Sequence, residues 1–311
     1  MKSSTFTFKD AHGVDIFVYK WLPDGGDIKA CVQIEHGLAE HAGRYVEFAE
    51  SLTKAGFACY ADDHRGHGKT AGAESKRGIF GPGGWNAVVQ GMKQLTDIIK
   101  KEQPGKALFM FGHSWGSYLA QDYIQQYGNE LKGVVLCGSA GKQSFLIQKL
   151  GPVLAKSQIK KIGADTPSDF LYKMTFKAFN KKFEPSPTGT DFDWTSRDVA
   201  SVKSYAADPF CGFKITPGFG LEFANKLNKL WKPENEKRIP VELPVYIIAG
   251  TMDSTNGFLK MLKPLPKRYK EQLGLKDVTE KYYEGARHAI HHETNKDEVI
   301  ADLIAWFNAH L

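Results

Sequence analysis

Three residue types in chain order carry the chemistry that this sequence can do. Ser114 lies in Gly112-His113-Ser114-Trp115-Gly116, a G-x-S-x-G pattern. The apolar run Ala107 to Phe111 before it reads as a strand, and residues 115–127 after it read as a helix. A strand that turns sharply into a helix lifts a serine hydroxyl above the sheet, and glycines two residues to either side relieve crowding in that turn. A hydroxyl is a weak nucleophile near neutral pH and needs a base. Downstream, the strand Pro244 to Ala249 is followed by Asp253, and the strand Val278 to Tyr283 by His288. Both would sit where strand ends present chemistry. Asp253 would orient His288, and His288 would take the proton from Ser114. His291 and His292 compete as the base, and Asp277 competes as the acid but precedes its strand. Attack on an ester carbonyl creates a negative oxygen that two backbone amides can hold. Those of Trp115 and Leu38 are the expected pair.

The elements that must position these residues alternate. Two strands, Thr5 to Phe8 and Ile16 to Tyr19, flank a turn at His12-Gly13 and form an antiparallel pair. Ala30 to Glu35 and Phe57 to Ala61 are further strands, separated by a helix over 43–55. A helix over 84–101 leads to the strand before Ser114, and Gly133 to Cys137 is the next strand. After the strand at 244–249 the pattern predicts a helix near 257–272, and a closing helix over 296–310. Alternating strands and helices argue for an α/β fold with a mostly parallel, eight-stranded sheet. The alternation breaks over 142–217, and a helix near 221–231 follows. The expected division is a core of 1–141 and 218–311 carrying a helical cap of 142–217.

Three segments carry a more specific resemblance. They are His36-Gly37-x-x-Glu40-His41-x-x-Arg44-Tyr45, Asp63-His64-Arg65-Gly66-His67-Gly68 and the Ser114 pattern. Together they resemble the monoacylglycerol lipase and lysophospholipase branch of the α/β-hydrolases, a group often labelled serine aminopeptidase-like. Tyr205-Ala206-Ala207-Asp208-Pro209-Phe210 and the segment from Glu284 to Glu293 extend the resemblance, whereas Gly250-Thr251-Met252-Asp253-Ser254 matches in part. The residues after Asp253 are more polar than the family pattern. The resemblance implies an α/β-hydrolase fold, and a polar corner of Glu40, Arg44 and His291 that receives the glycerol part of a substrate. Glu40 and Arg44 read equally well as a buried structural ion pair. The resemblance also implies that His64 and His67 belong to a structural loop, with no metal and no cofactor.

Composition narrows the setting. The chain has 311 residues, 42% of them hydrophobic, and a net charge of +6. Residues 142–182 hold nine lysines against Asp165 and Asp169, so the positive charge is concentrated in the expected cap. Phe145, Leu146, Leu150, Val153, Leu154, Phe170, Leu171, Met174, Phe176, Phe179 and Phe183 lie between those lysines. Such a pattern suits amphipathic helices that close an acyl tunnel and touch an anionic membrane. A solvated lid is the plainer reading. No nucleic-acid motif accompanies the charge. Cys31, Cys59 and Cys137 lie in apolar runs, Cys211 elsewhere, and none pairs as C-x-x-C; buried thiols in a reducing compartment are expected. The N-terminus lacks an apolar signal run and no stretch is long enough to span a membrane, so a soluble cytoplasmic protein is expected. The expected function is a serine carboxylic-ester hydrolase on monoacylglycerols, lysophospholipids or similar acyl esters. Alternatives are a small-ester carboxylesterase, an aminopeptidase-like peptidase, and a non-catalytic binding protein on the same fold.

Overall fold

The computed structural model describes residues 1–142 and 145–311, with the backbone alone for 145–147. Within the expected cap, Gln143, Ser144 and the side chains of Phe145 and Leu146 therefore lie outside the described residues. Eight strands form one sheet: β1 (Lys2–Lys9), β2 (Asp15–Leu22), β3 (Ala30–Glu35), β4 (Phe57–Asp62), β5 (Ala107–His113), β6 (Gly133–Cys137), β7 (Val245–Gly250) and β8 (Val278–Tyr283). Their order is β1-β2-β4-β3-β5-β6-β7-β8. β2 is antiparallel to both of its neighbours, and every pair from β4 to β8 is parallel. This is the α/β-hydrolase architecture.

The parallel strands are buried on both faces, which is why they read as continuous apolar runs rather than alternations. Alternate side chains still divide between two layers. Leu108 and Met110 of β5 join Val88, Met92, Leu119 and Tyr123 on one side. Phe109 and Phe111 join Phe48, Leu52, Leu303 and Phe307 on the other. The helices Gly84–Glu102 and Trp115–Tyr127 thus cover one face, and Val46–Lys54 and Lys296–Ala309 the other. Each such side chain contributes roughly 1.5–3 kcal/mol by leaving water. The effect is to clamp β5 at the centre of the sheet, where Gly112 pairs with Glu35 of β3 and Leu136 of β6.

Between β6 and β7 the described residues add no strand to the sheet. They form the helices Phe145–Ile162, Val199–Ala207 and Pro217–Leu230, with shorter turns between them. The helix Pro217–Leu230 starts at the point where the sequence suggests that the core resumes. Thr216 caps it, its Oγ1 accepting from Phe219 N at 3.2 Å, and Pro217 fills a first-turn position that needs no amide donor. It packs against both Phe145–Ile162 and Gly84–Glu102, tying the inserted segment to the core.

One predicted element is displaced. The helix expected near 257–272 begins only at Pro264, because Gly257, Phe258 and Leu259 all take positive φ (67°, 58° and 68°). The chain there folds back on Asp253, whose carbonyl accepts from Phe258 N at 2.8 Å. Among the described residues, no helix is long and apolar enough to cross a membrane.

Candidate active site

Ser114 is the residue at which β5 turns into the helix Trp115–Tyr127. Its φ of 52° and ψ of −119° lie in a region that non-glycine residues avoid, at a cost of about 1–3 kcal/mol. The surroundings enforce it. Ser114 N donates to Cys137 O at 2.9 Å. A Cβ on Gly116 would lie 2.1 Å from Glu35 O, and one on Gly112 would lie 2.6 Å from Gly116 O. Only glycine lets the turn close on β3 this tightly, which accounts for both glycines of the pattern.

Asp253 and His288 arrive from the ends of β7 and β8. His288 Nδ1 is 2.9 Å from Asp253 Oδ2, with both side chains buried. The other carboxylate oxygen, Oδ1, accepts from Thr255 N at 2.9 Å and Thr255 Oγ1 at 2.7 Å, and Asn256 Nδ2 reaches Oδ2 at 3.0 Å. Gly138 makes room for the ring, since a Cβ there would sit 3.1 Å from His288 Cε1. His288 Nε2 is buried and has no partner among the described residues. It shares a cavity with Ser114. Paired on one side and unpartnered on the other, such a histidine can accept a proton.

The amide of Trp115 opens a helix, so no carbonyl one turn back receives it. Leu38 lines the same cavity, in the loop after β3. That loop is pinned from both sides at Ala39, which takes a φ of 53°. Below, Ala39 N donates to His67 Nε2 at 3.2 Å. Above, Ala39 O accepts from Tyr205 Oη at 2.7 Å and Gly212 N at 2.9 Å. His41 also meets Asp208 at 3.0 Å. The inserted segment therefore helps to shape the loop on which Leu38 lies.

The three residues of the expected polar corner separate into two groups. Glu40 and Arg44 are a buried pair, 3.3 Å apart, and both line the Ser114 cavity. Glu40 Oε1 also accepts from Gly37 N (2.6 Å), Tyr45 Oη (2.9 Å) and His113 Nδ1 (3.0 Å). Burial alone would push this carboxyl up; the His113 hydrogen bond and the Arg44 charge outweigh it and hold the carboxyl well below the usual range. Burial lowers His113, against the pull of the Glu40 carboxylate. His291 does not line the cavity. It stacks on Tyr45 at 4.9 Å and packs edge-on against His113 at 4.6 Å, and burial holds it well below the ordinary histidine value.

The cavity measures about 20 Å³, room for roughly one water. Trp194, Thr195 and Tyr205 of the inserted segment close it. Sequence reasoning passed over Trp194, whose ring lies 5.2 Å from that of His288. Beyond Arg44 lies an open groove of about 490 Å³, so Arg44 borders both spaces.

Among the described residues, two groups have the composition of metal ligands: Glu35, Asp62 and His64, and His41, Asp208 and Cys211. Neither borders the cavity. His67 uses both ring nitrogens, one toward Ala39 N and the other 3.0 Å from Arg65 O.

The family described as "Serine aminopeptidase, S33" matches residues 26–295. The chain belongs to this family. Among relatives of this hydrolase, a monoacylglycerol lipase from Mycolicibacterium smegmatis is 26% identical over 99% of this chain and 98% of its own length. The human monoglyceride lipase is 27% identical over 91% of this chain and 83% of its own. Among solved structures, a thermostable carboxyl esterase from Bacillus coagulans in complex with glycerol covers 99% of each chain, with a TM-score of 0.88 and 28% identity. The hydrolase is thus similar to ester-cleaving enzymes over its whole length, inserted segment included.

Proposed function

We propose that this hydrolase cleaves carboxylic esters of monoacylglycerol type through an acyl-enzyme on Ser114. The observation that carries the reading is His288, bound to Asp253 at 2.9 Å through Nδ1 and unpartnered at Nε2 beside Ser114. Ser114 Oγ attacks the ester carbonyl while its proton passes to His288 Nε2. The amides of Leu38 and Trp115 hold the oxygen that becomes negative, and His288 then protonates the departing alcohol. Water, activated by the same ring, releases the acid. Glu40 and Arg44 give the alcohol side of the cavity fixed acceptors and donors, which suits a polyol better than an apolar group. His291 acts behind them through its packing on Tyr45 and His113. The names of the relatives point to the same substrate class.

The segment 142–217 serves as the cap in this reading. A space of about 20 Å³ admits no acyl chain, so Trp194 and Tyr205 must move for substrate to enter. Leu150, Val153, Phe170 and Met174 are exposed on this segment, among lysines that outnumber its acids. That surface suits transient contact with an anionic membrane, from which the substrate would be drawn. Four unpaired cysteines support a cytoplasmic setting.

A fluorophosphonate probe should label the wild type and not Ser114→Ala, with loss of ester turnover in step. Retained turnover in Ser114→Ala would sink the triad. A panel of monoacylglycerols, lysophospholipids, short esters and aminoacyl amides would then fix the class. Highest kcat/KM on short esters or on amides would replace the monoacylglycerol reading. Sedimentation with phosphatidylglycerol vesicles no better than with phosphatidylcholine vesicles would remove the membrane contact.

A further inference from the structure

The Asp253–His288 pair has a third member. Thr255 Oγ1 is 2.7 Å from Asp253 Oδ1 and 3.0 Å from His288 Nδ1, while Asp253 Oδ2 is 2.9 Å from that same nitrogen. A hydroxyl has one proton to give, and an ionised carboxylate can only accept. The Thr255 proton therefore goes to Asp253, and the hydroxyl turns a lone pair toward His288. The Nδ1–H of His288 meets two acceptors at once, one from the acid and one from the threonine.

This hydroxyl is not needed to build the turn that carries it. Asp253 caps the short helical turn Ser254–Asn256 by accepting from the backbone amide of Thr255, at 2.9 Å. That bond involves no Thr255 side-chain atom. Asn256 Nδ2 secures Asp253 Oδ2 independently, at 3.0 Å. Asp253 would thus stay in place if the hydroxyl were removed. What would change is the restraint on His288, whose ring could then rotate about its single remaining contact at Nδ1.

We propose that Thr255 is a positioning residue: its hydroxyl locks the His288 ring with the proton on Nδ1 and leaves Nε2 aimed at Ser114. The proposal rests on the reading of Ser114, Asp253 and His288 given above. Once His288 takes the serine proton its Nδ1–H becomes a stronger donor, so the contact tightens as charge develops and acts on kcat rather than on binding.

The test compares Thr255→Val, which keeps the shape and loses both hydrogen-bonding roles, with Thr255→Ser, which keeps the hydroxyl. Turnover of a water-soluble p-nitrophenyl ester by the full chain is measured together with the proton NMR resonance of His288 Nδ1–H, assigned by its absence in His288→Gln. Thr255→Val should lower kcat roughly tenfold, the scale of one ordinary hydrogen bond, with KM within about twofold of wild type. Its Nδ1–H resonance should move upfield. Thr255→Ser should restore both. Wild-type kcat and an unmoved resonance in Thr255→Val would overturn the proposal, as would a change confined to KM or a Thr255→Ser variant as impaired as Thr255→Val. Should Thr255→Val not fold, Thr255→Ala takes its place. The resonance is read on the resting protein. If Ser114→Ala kept its activity, the triad would fall while the NMR comparison still decided whether Thr255 orders His288.

Discussion

Two aspartate–histidine pairs of nearly equal length flank the turn at Ser114. Asp253 and His288 meet at 2.9 Å, and Asp62 and His64 at 3.0 Å. Each carboxylate comes from the end of a strand or just beyond it, and each ring is buried. They differ at the second ring nitrogen. His288 Nε2 has no partner among the described residues, and the residue lines the cavity that holds Ser114. His64 Nε2 likewise makes no hydrogen bond among the described residues, but it faces the Glu35 carboxyl at 3.5 Å, under the edge of the Trp115 ring and away from the cavity. Burial works against a charge on His64, but Asp62 and Glu35 on either side hold it above its ordinary value. Glu35 is itself raised to about 8, by burial and by the charge of Asp62. In the reading proposed above one pair passes a proton on; the other is enclosed between two carboxyl groups. An aspartate–histidine contact is therefore no catalytic signature in itself; the two pairs differ in whether the ring lines the cavity beside Ser114 or lies enclosed between two carboxyl groups.

Removing the two rings should break the molecule in opposite ways. His288→Ala is expected to lower ester turnover by roughly 10⁴-fold or more while leaving thermal stability near wild type. His64→Ala would leave Asp62 as a buried carboxylate without its counter-charge, beside Glu35, at a cost of about 3–5 kcal/mol. Its melting temperature should fall by roughly 10 °C, and the folded fraction should still react with a fluorophosphonate. Thermal denaturation and active-site titration of both variants check this contrast. A His64→Ala protein that melts like wild type yet does not react would erase it.

How far each region could be read from residues follows from how local its cause is. The span Ala30–Glu35 and the helix after Ser114 emerge with the bounds that their patterns predict, because apolar runs and flanking glycines act within a few residues. Ser114, Asp253 and His288 could be picked out because each follows a strand end. The turn at 257–259 escaped, since Phe258 and Leu259 carry no mark of a left-handed backbone; the fold imposes it. Trp194, and the contact that Tyr205 makes from its motif, escaped for a different reason. The two residues meet His288 and Ala39 only once the insertion folds over the sheet. Thr255 did leave a signal, as part of the unusually polar stretch after Asp253. Its meaning depends on a histidine 33 positions away. Glu35 left none: a glutamate ending an apolar strand gives no sign that it will face a buried imidazole.

The smallest expected effect sharpens the comparison most, because it asks whether the Glu35–His64 pair really retains its proton. Burial and the charge of Asp62 raise Glu35 to about 8 in the folded chain, from an ordinary value of 4.5. Its contribution to stability is thus complete below about 4.5 and is lost as pH rises toward 8. His64, raised above 6.5, has the same sign: full below that value, lost as pH passes the folded one. The wild-type melting temperature should therefore decline between mildly acidic and mildly alkaline pH. Glu35→Gln replaces the protonated acid with a neutral group of the same shape, still within reach of Gln33, which now contacts Glu35 at 2.9 Å. The variant should follow wild type at low pH and exceed it by about 2–4 °C at alkaline pH, the scale of one kcal/mol in a chain of this size. Activity near neutral pH should not change, because Glu35 does not border the Ser114 cavity. Parallel melting curves would mean that Glu35 is already ionised in the fold. The second pair would then carry a buried negative charge rather than a retained proton, and the distinction from Asp253–His288 would rest on enclosure alone.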